Sequence, residues 1–345
     1  MLATTPCRGC HAEIVSAFEE TAHFQTSALP SAERVKGPLA PDRSLLRTRS
    51  PDVFFEMSHQ PDGYYQTAFD RRAQQSRTER IDLVIGSGRR GQTYLYWRNG
   101  LLLELPVSYL TAADAWINSP GYQDGTIDFS RVVPPRCLEC HATTFRIEGV
   151  GPEAHYADDY QLGITCGKCH GDARVHLERQ STDPADEPTN ILNPRRLDRA
   201  RQLDNCGLCH SGPRRLRKPP FSFQPGLPLD EFLEPVTTDS TAVPDVHGDQ
   251  VGLLALSRCF RQSPDLTCST CHDVHRTQRD PAVFARVCVG CHEKARHRRP
   301  LTEAQAGGCV DCHMPKRASG GLDFNGAAAT SRMEFRSHRI AVYPR

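Results

Sequence analysis

The sequence predicts a mostly α and irregular chain with a small antiparallel β subdomain near residues 52–110 and an interior filled by something other than side chains. Three observations predict it. Fifteen cysteines and 15 histidines in 345 residues fall largely into one five-residue unit, Cys-x-x-Cys-His, which occurs seven times. The chain is lean in core-forming material, at 38% hydrophobic and 7% aromatic with a mean hydropathy of −0.52. The one long stretch without a unit is instead rich in β-prone runs separated by turn residues. Charge adds an exclusion: 42 Lys plus Arg against 41 Asp plus Glu leaves no dominant nucleic-acid patch or polyanionic tail.

Taken in order, residues 1–130 form an N-terminal region with the first unit and the β subdomain. Met1 to Pro6 carry neither the basic nor the apolar region of an export signal, so a mature or trimmed form is expected. Val53-Phe54-Phe55-Glu56-Met57 and Tyr64-Tyr65-Gln66-Thr67-Ala68-Phe69 read as strands around a Pro61-Asp62-Gly63 turn. Ile81 to Ile85, Thr93 to Trp97 and Leu101 to Val107 continue the pattern, and Asn99-Gly100 marks a hairpin. Gly86-Ser87-Gly88-Arg89-Arg90-Gly91 matches a dinucleotide fingerprint, but a strand follows it where a helix N-terminus would be needed, so a tight loop is expected. Residues 131–218 hold three units, 219–250 form a Pro-rich connection, and 251–345 hold three more, on short helices joined by loops. No stretch approaches 18 apolar residues, so no membrane span is expected.

The units are Cys7/Cys10/His11, Cys137/Cys140/His141, Cys166/Cys169/His170, Cys206/Cys209/His210, Cys268/Cys271/His272, Cys288/Cys291/His292 and Cys309/Cys312/His313, here called sites 1 to 7. Random placement of the same residues predicts roughly 0.03 such motifs. Structural zinc requires a second Cys pair or a spaced His pair, and nothing in its chemistry places His directly after each second Cys. A thioredoxin-type dithiol has no use for the histidine. Covalent c-type haem accounts for the whole unit: two thiols three positions apart add to the two vinyl groups of one porphyrin, and the next imidazole reaches the iron. Seven haems are expected, with His11, His141, His170, His210, His272, His292 and His313 as proximal ligands. At about −1 per ferric haem they turn the +1 chain into one of about −6. Cys259 is left over, read as a small buried residue, with a reactive or intermolecular thiol as the alternative.

Seven irons need sixth ligands, and eight histidines lie outside the units. His23, His176 and His275 are the leading candidates, followed by His297 and His338, then His155 and His247. His59, in a turn-like His59-Gln60-Pro61-Asp62-Gly63, is left out. His275 follows His272 by three, too close for both to take one iron, so it is expected to cross to another haem. The four methionines are poor candidates, so bis-histidine ligation and low potentials are expected. Arg195-Arg196, Arg214-Arg215 and Arg298-Arg299 suit haem propionates or a solvated face equally.

Gly163-Ile164-Thr165-Cys166 through Cys169-His170-Gly171 with His176, Leu266-Thr267-Cys268 through His272-Asp273-Val274-His275, and Cys309 through His313-Met314-Pro315-Lys316 resemble the multihaem cytochromes c of the superfamily that holds the tetrahaem cytochrome and octahaem hydroxylamine oxidoreductase. They also resemble bacterial multihaem cytochromes often fused to tetratricopeptide repeats. The resemblance implies haems stacked in parallel and perpendicular pairs, and a His275 that ligates a neighbouring haem. Seven units rather than four or eight depart from that pattern, and no Cys-x-x-Cys-Lys marks a catalytic haem. The function expected is electron transfer along closely packed haems, with redox proteins as partners, a periplasmic or extracellular home, and possible self-assembly into an oligomer or filament. The alternative is an oxidoreductase in which one open-site haem acts on a small nitrogen or sulfur compound; no catalytic residue is named.

Overall fold

The structure, a computed structural model, describes residues 4–148, 154–182, 190–238, 247–293, 297, 300–302, 305, 307–318, 324–325, 330–331 and 333–343. Helix and strand take nearly equal shares, 30% and 26%, which corrects the expectation of a mostly α chain. Strand was underestimated because several strands carry few apolar residues.

Helix α1 (Thr5–Glu19) leads, with Pro6 in its first turn where the missing N–H costs nothing. Two antiparallel sheets follow. One joins β2 (Leu45–Arg47), β3 (Val53–Gln60), β4 (Gly63–Asp70) and β5 (Gln75–Ile81) in sequence order. The other joins β1 (Ser27–Ala28), β6 (Leu83–Ile85), β7 (Gly91–Arg98), β9 (Val107–Leu110) and β10 (Ala115–Asn118), with β8 (Leu101–Glu104) also on β7. The β region thus runs from 45 to 118 with β1 added, beyond the 52–110 expected. Pro106, unable to donate to a ladder, divides the expected Leu101 to Val107 strand into β8 and β9. Asn99 and Gly100, with φ of 52° and 78°, make the β7–β8 turn. Gly86, at φ +100°, packs so tightly on β7 that a Cβ there would stand 2.6 Å from the Gly91 carbonyl oxygen, so the glycine-rich segment is a tight β6–β7 loop.

These sheets enclose a side-chain core: Phe55, Met57, Tyr94, Tyr96, Leu105 and Phe129 are all buried to 2% exposure or less. The β subdomain, which lies in the stretch without a unit, thus has an interior of its own side chains. A second apolar cluster lies under the hairpin of β11 (Ala142–Glu148) and β12 (His155–Leu162), strands where short helices were expected.

The remaining chain is built of short helices: α2 (Pro135–His141), α3 (Cys166–His170), α4 (Arg174–Thr182), α5 (Arg199–His210), α6 (Gln250–Ala255), α7 (Arg258–Gln262), α8 (Cys268–Cys271), α9 (Pro281–His292) and α10 (Cys309–His313). Asp198 and Asp280 cap α5 and α9, accepting from the Arg201 and Ala282 amides at 2.8 and 2.9 Å. Thr267 and Thr270 form a capping box on α8. Two-stranded pairs, β13 (Lys316–Ala318) with β16 (Glu334–Arg336) and β14 (Phe324–Asn325) with β15 (Thr330–Ser331), close the chain. Among the described residues no helix is long and apolar enough to cross a membrane.

Candidate haem-binding sites

All seven units lie on helices. The histidine is the last residue of α2, α3, α5, α9 and α10, the C-cap of α8, and the kink of α1, where His11 has φ −118° and ψ 39°. One helical turn puts the two thiols of a unit on the same face, and the imidazole follows at the helix end. None of the 15 cysteines is tied up in a disulfide, as thioether formation requires.

Their exposure varies from unit to unit. Cys10 of site 1 and Cys312 of site 7 are exposed rather than interior, as are Cys137 and Cys291, while the other ten unit cysteines are half-buried.

The helix-rich half also lacks the core such helices need. Helices α4 and α8 bury no residue, α9 buries only Ala285, and Val289 on α9 is 49% exposed. Large flat apolar groups between these helices would supply that core.

The imidazoles give the sharper test. The His170 and His313 Nδ1–H groups donate to the Leu192 and Ala341 carbonyls at 2.8 and 2.9 Å, and His141 Nδ1 lies 2.9 Å from Thr26 Oγ1. A ring that donates from Nδ1 keeps its Nε2 lone pair for a metal. A coordinated imidazole nitrogen lies about 2 Å from a first-row ion and about 1 Å from its own ring centre, so two imidazoles on opposite faces of one iron have ring centres about 6 Å apart. Four pairs meet that spacing: His23 and His210 at 6.1 Å, His170 and His275 at 6.0 Å, His272 and His338 at 6.2 Å, and His297 and His313 at 6.3 Å. Each joins a unit histidine to one outside the units. His275 faces His170 rather than its near neighbour His272.

Burial favours the neutral form of several buried imidazoles. His23 and His338 are pushed down to about 4 by desolvation first, then by neighbouring imidazoles and arginines. Burial lowers His141, His210, His272 and His275 as well, with His170 adding to the effect on His275. His247 lies near enough to His141 to lower its basicity further.

The other candidates are placed differently. His176 is half-buried on α4. His155 opens β12 and packs on the Asn99–Gly100 turn. His59 belongs to β3 rather than to a turn, and stacks on Tyr64 at 4.4 Å. Cys259 is half-buried on α7, near Cys271 and Cys288, rather than sealed in a core. Arg214 is committed to Asp230 and to the Leu233 and Glu234 carbonyls, which removes it as a propionate partner; Arg195 lies near His275. Arg298-Arg299 lie outside the described residues.

The sites follow one another in space. Helix α2 packs on α5, α5 on α8, α8 on α9, and α9 on α10. The thiols of Cys140 and Cys209 lie side by side, as do those of Cys206 and Cys268. Cys7 and Cys166 join sites 1 and 3 in the same way. Sequence reasoning missed the buried charges between sites 2, 3 and 4, which sit in the variable positions of the units and their flanks. Arg136 pairs with Glu139 at 2.8 Å, Glu139 also accepts from the Phe221 amide at 2.7 Å, and Lys168 donates to the Thr143 carbonyl at 3.2 Å.

Comparison with known proteins agrees with this geometry. Residues 129–211, which span sites 2 to 4, match the family described as cytochrome c7 and related cytochrome c. The crystal structure of the outer cell wall cytochrome OcwA aligns with 98% of this chain and 79% of its own, at a TM-score of 0.61 and 16% identity. The fold is that of a multihaem cytochrome. The undecahaem cytochrome from the S-layer of Carboxydothermus ferrireducens is also similar, at a TM-score of 0.47 and 15% identity over 99% of this chain and 52% of that one. No curated protein sequence matches the chain.

Proposed function

We propose that the protein is a seven-haem c-type cytochrome that conducts electrons, with redox proteins at its two ends and a place of work outside the cytoplasm. The observation that carries this is the set of four imidazole pairs at 6.0 to 6.3 Å, joined by helices that pack in series. Each bound haem supplies a reversible one-electron iron couple. The chain's own residues hold those groups close together: His23 and His275 each bridge to another segment, and the paired imidazoles close an iron to substrates while leaving it free to pass an electron. Histidine on both faces also gives lower potentials than a His/Met pair. Sites 2, 4, 5, 6 and 7 form the backbone of the conduit, with site 3 beside sites 4 and 5 and site 1 beyond site 3. The exposed Cys10, Cys137, Cys291 and Cys312 support partner access to a haem edge at sites 1, 2, 6 and 7. The outer cell wall named for OcwA favours an extracellular rather than a periplasmic setting, and membership of the hydroxylamine oxidoreductase superfamily belongs to the same proposal.

Stopped-flow reduction of the holoprotein tests it. One reductant should fill all the haems with internal equilibration that does not depend on protein concentration. Haems that equilibrate only through collisions between molecules would overturn the conduit.

A further inference from the structure

The glycine-rich β6–β7 loop carries Arg89 and Arg90, which reach out of the β subdomain to segments that bear imidazoles outside the units. The loop itself is held on two sides. The Gly86 amide donates to the Thr26 carbonyl at 2.6 Å, and the Thr111 amide and hydroxyl donate to the Arg90 and Gly88 carbonyls at 2.9 and 2.7 Å. Both arginines therefore start from a fixed base.

Arg89 Nη2 donates to the Glu20 carbonyl at 3.1 Å and to the Thr277 hydroxyl at 2.7 Å, and that hydroxyl donates in turn to the same Glu20 carbonyl at 3.0 Å. Glu20 is the C-cap of α1, where carbonyls lack helical partners and the helix dipole favours a cation. Three segments distant in sequence thus meet in one knot: the loop, the end of α1 and the chain after α8. The last two each carry a crossing imidazole. His23 lies three residues after Glu20, and His275 two before Thr277. Their rings stand 6.1 Å from His210 and 6.0 Å from His170. Phe18, buried near the end of α1, sets its ring edge-on to His275 at 6.1 Å and so ties the same two segments a second time. Arg90 makes a similar reach to β16, where Nη1 donates to the Glu334 carbonyl and the guanidinium lies 4.9 Å from the Phe335 ring, shortly before His338.

We propose that Arg89 is a positioning residue for axial coordination: by knotting the end of α1 to the chain after α8, it holds His23 and His275 on the irons of sites 4 and 3 together. This rests on the reading of those imidazoles as iron ligands. The β subdomain, which carries no unit, then governs the coordination of two haems borne by the helical half, and the sixth ligands of two neighbouring sites share one tether.

Carbon monoxide uptake by the reduced holoprotein tests this, because an imidazole must leave its iron before the gas can bind. Arg89→Gln should keep seven haems by mass and raise the uptake rate of two haems about tenfold, the equivalent of one hydrogen bond to a charged group. Thr277→Val, which removes the hydroxyl from the same knot, should speed the same two haems, and the two changes together should be less than additive. Arg71→Gln, a guanidinium over Phe54 at 4.9 Å elsewhere in the β subdomain, should match the wild type. In a His23→Ala background Arg89→Gln should still speed one haem, and in a His23→Ala/His275→Ala background none. Wild-type rates in both Arg89→Gln and Thr277→Val overturn the tether and leave the imidazole pairs standing; should Arg89→Gln fail to mature, Thr277→Val decides alone. Acceleration spread over all the haems, or one that survives the loss of both histidines, also overturns it, since either marks a general loosening of the fold. Fully low-spin ferric spectra in His23→Ala and His275→Ala, with seven haems attached, overturn the ligand reading and the tether with it.

Discussion

At the scale of single residues, the chain decides which ring nitrogen is available and which ring meets which. His275 shows both, since burial and the nearby His170 keep it neutral and its ring stands 6.0 Å from that partner. Replacing His275 by Ala should leave all seven haems attached by mass while converting one low-spin ferric signal to high spin; an unchanged electron paramagnetic resonance spectrum would remove His275 from the coordination scheme. Glu104 behaves differently, because burial beneath the β8 edge raises it from 4.5 to about 7 even though Arg131 lies 3.2 Å away. A carboxyl whose folded value is raised gives stability that is complete below its unfolded value and is lost as pH rises through the folded one. The wild type should therefore lose about 3 kcal/mol relative to Glu104→Gln between pH 4.5 and 7. Denaturant titrations of the two proteins at several pH values check this, and parallel curves would show that Glu104 ionises freely.

At the scale of elements, two kinds of construction share one chain. Strands β3, β4 and β7 bury alternate or consecutive apolar residues and seal a core of their own, whereas α4, α8 and α9 bury almost nothing. Protein produced without haem attachment should keep the strand signal in circular dichroism and protect residues 45–118 from proteolysis while the segment after 190 is digested. Uniform digestion, or helices that persist without haem, would contradict that division. The same contrast explains what was legible in the sequence. Apolar alternation in Val53 to Met57 and the Asn99-Gly100 turn announce β3 and the β7–β8 hairpin. Strand β5, Gln75-Ser76-Arg77-Thr78-Glu79-Arg80-Ile81, buries only its last residue and so carries no apolar rhythm to read. The β11–β12 hairpin hid behind the haem unit that precedes it. The seven Cys-x-x-Cys-His units were readable because five consecutive positions define each. The exposure of Cys10 and Cys312 was not, because the five-residue unit is the same whether other segments cover it or leave it at the surface. Likewise the pairing of His23 with His210 or His272 with His338 depends on tertiary placement that no local pattern encodes.

At the scale of the whole molecule, the sites form a branched rather than a linear array. Site 4 touches site 2 through Cys140 and Cys209 and site 5 through Cys206 and Cys268, while His23 reaches it from the end of α1. A junction of this kind allows electrons that enter at one end to leave by either of two others, so no single surface need serve every partner. The crossing imidazoles have a further consequence, which concerns the order of assembly. A chain emerging from its N-terminus presents His23 about 190 residues before His210, and presents His272 before the His338 that faces it, so loops of very different length must close one across another. Haem attachment can proceed as each unit emerges, but full coordination waits for the last segment to arrive. In the proposed scheme, partly emerged chains would lack the second imidazole at several sites, and the C-terminal segment that carries His338 would act as the latch that completes the set.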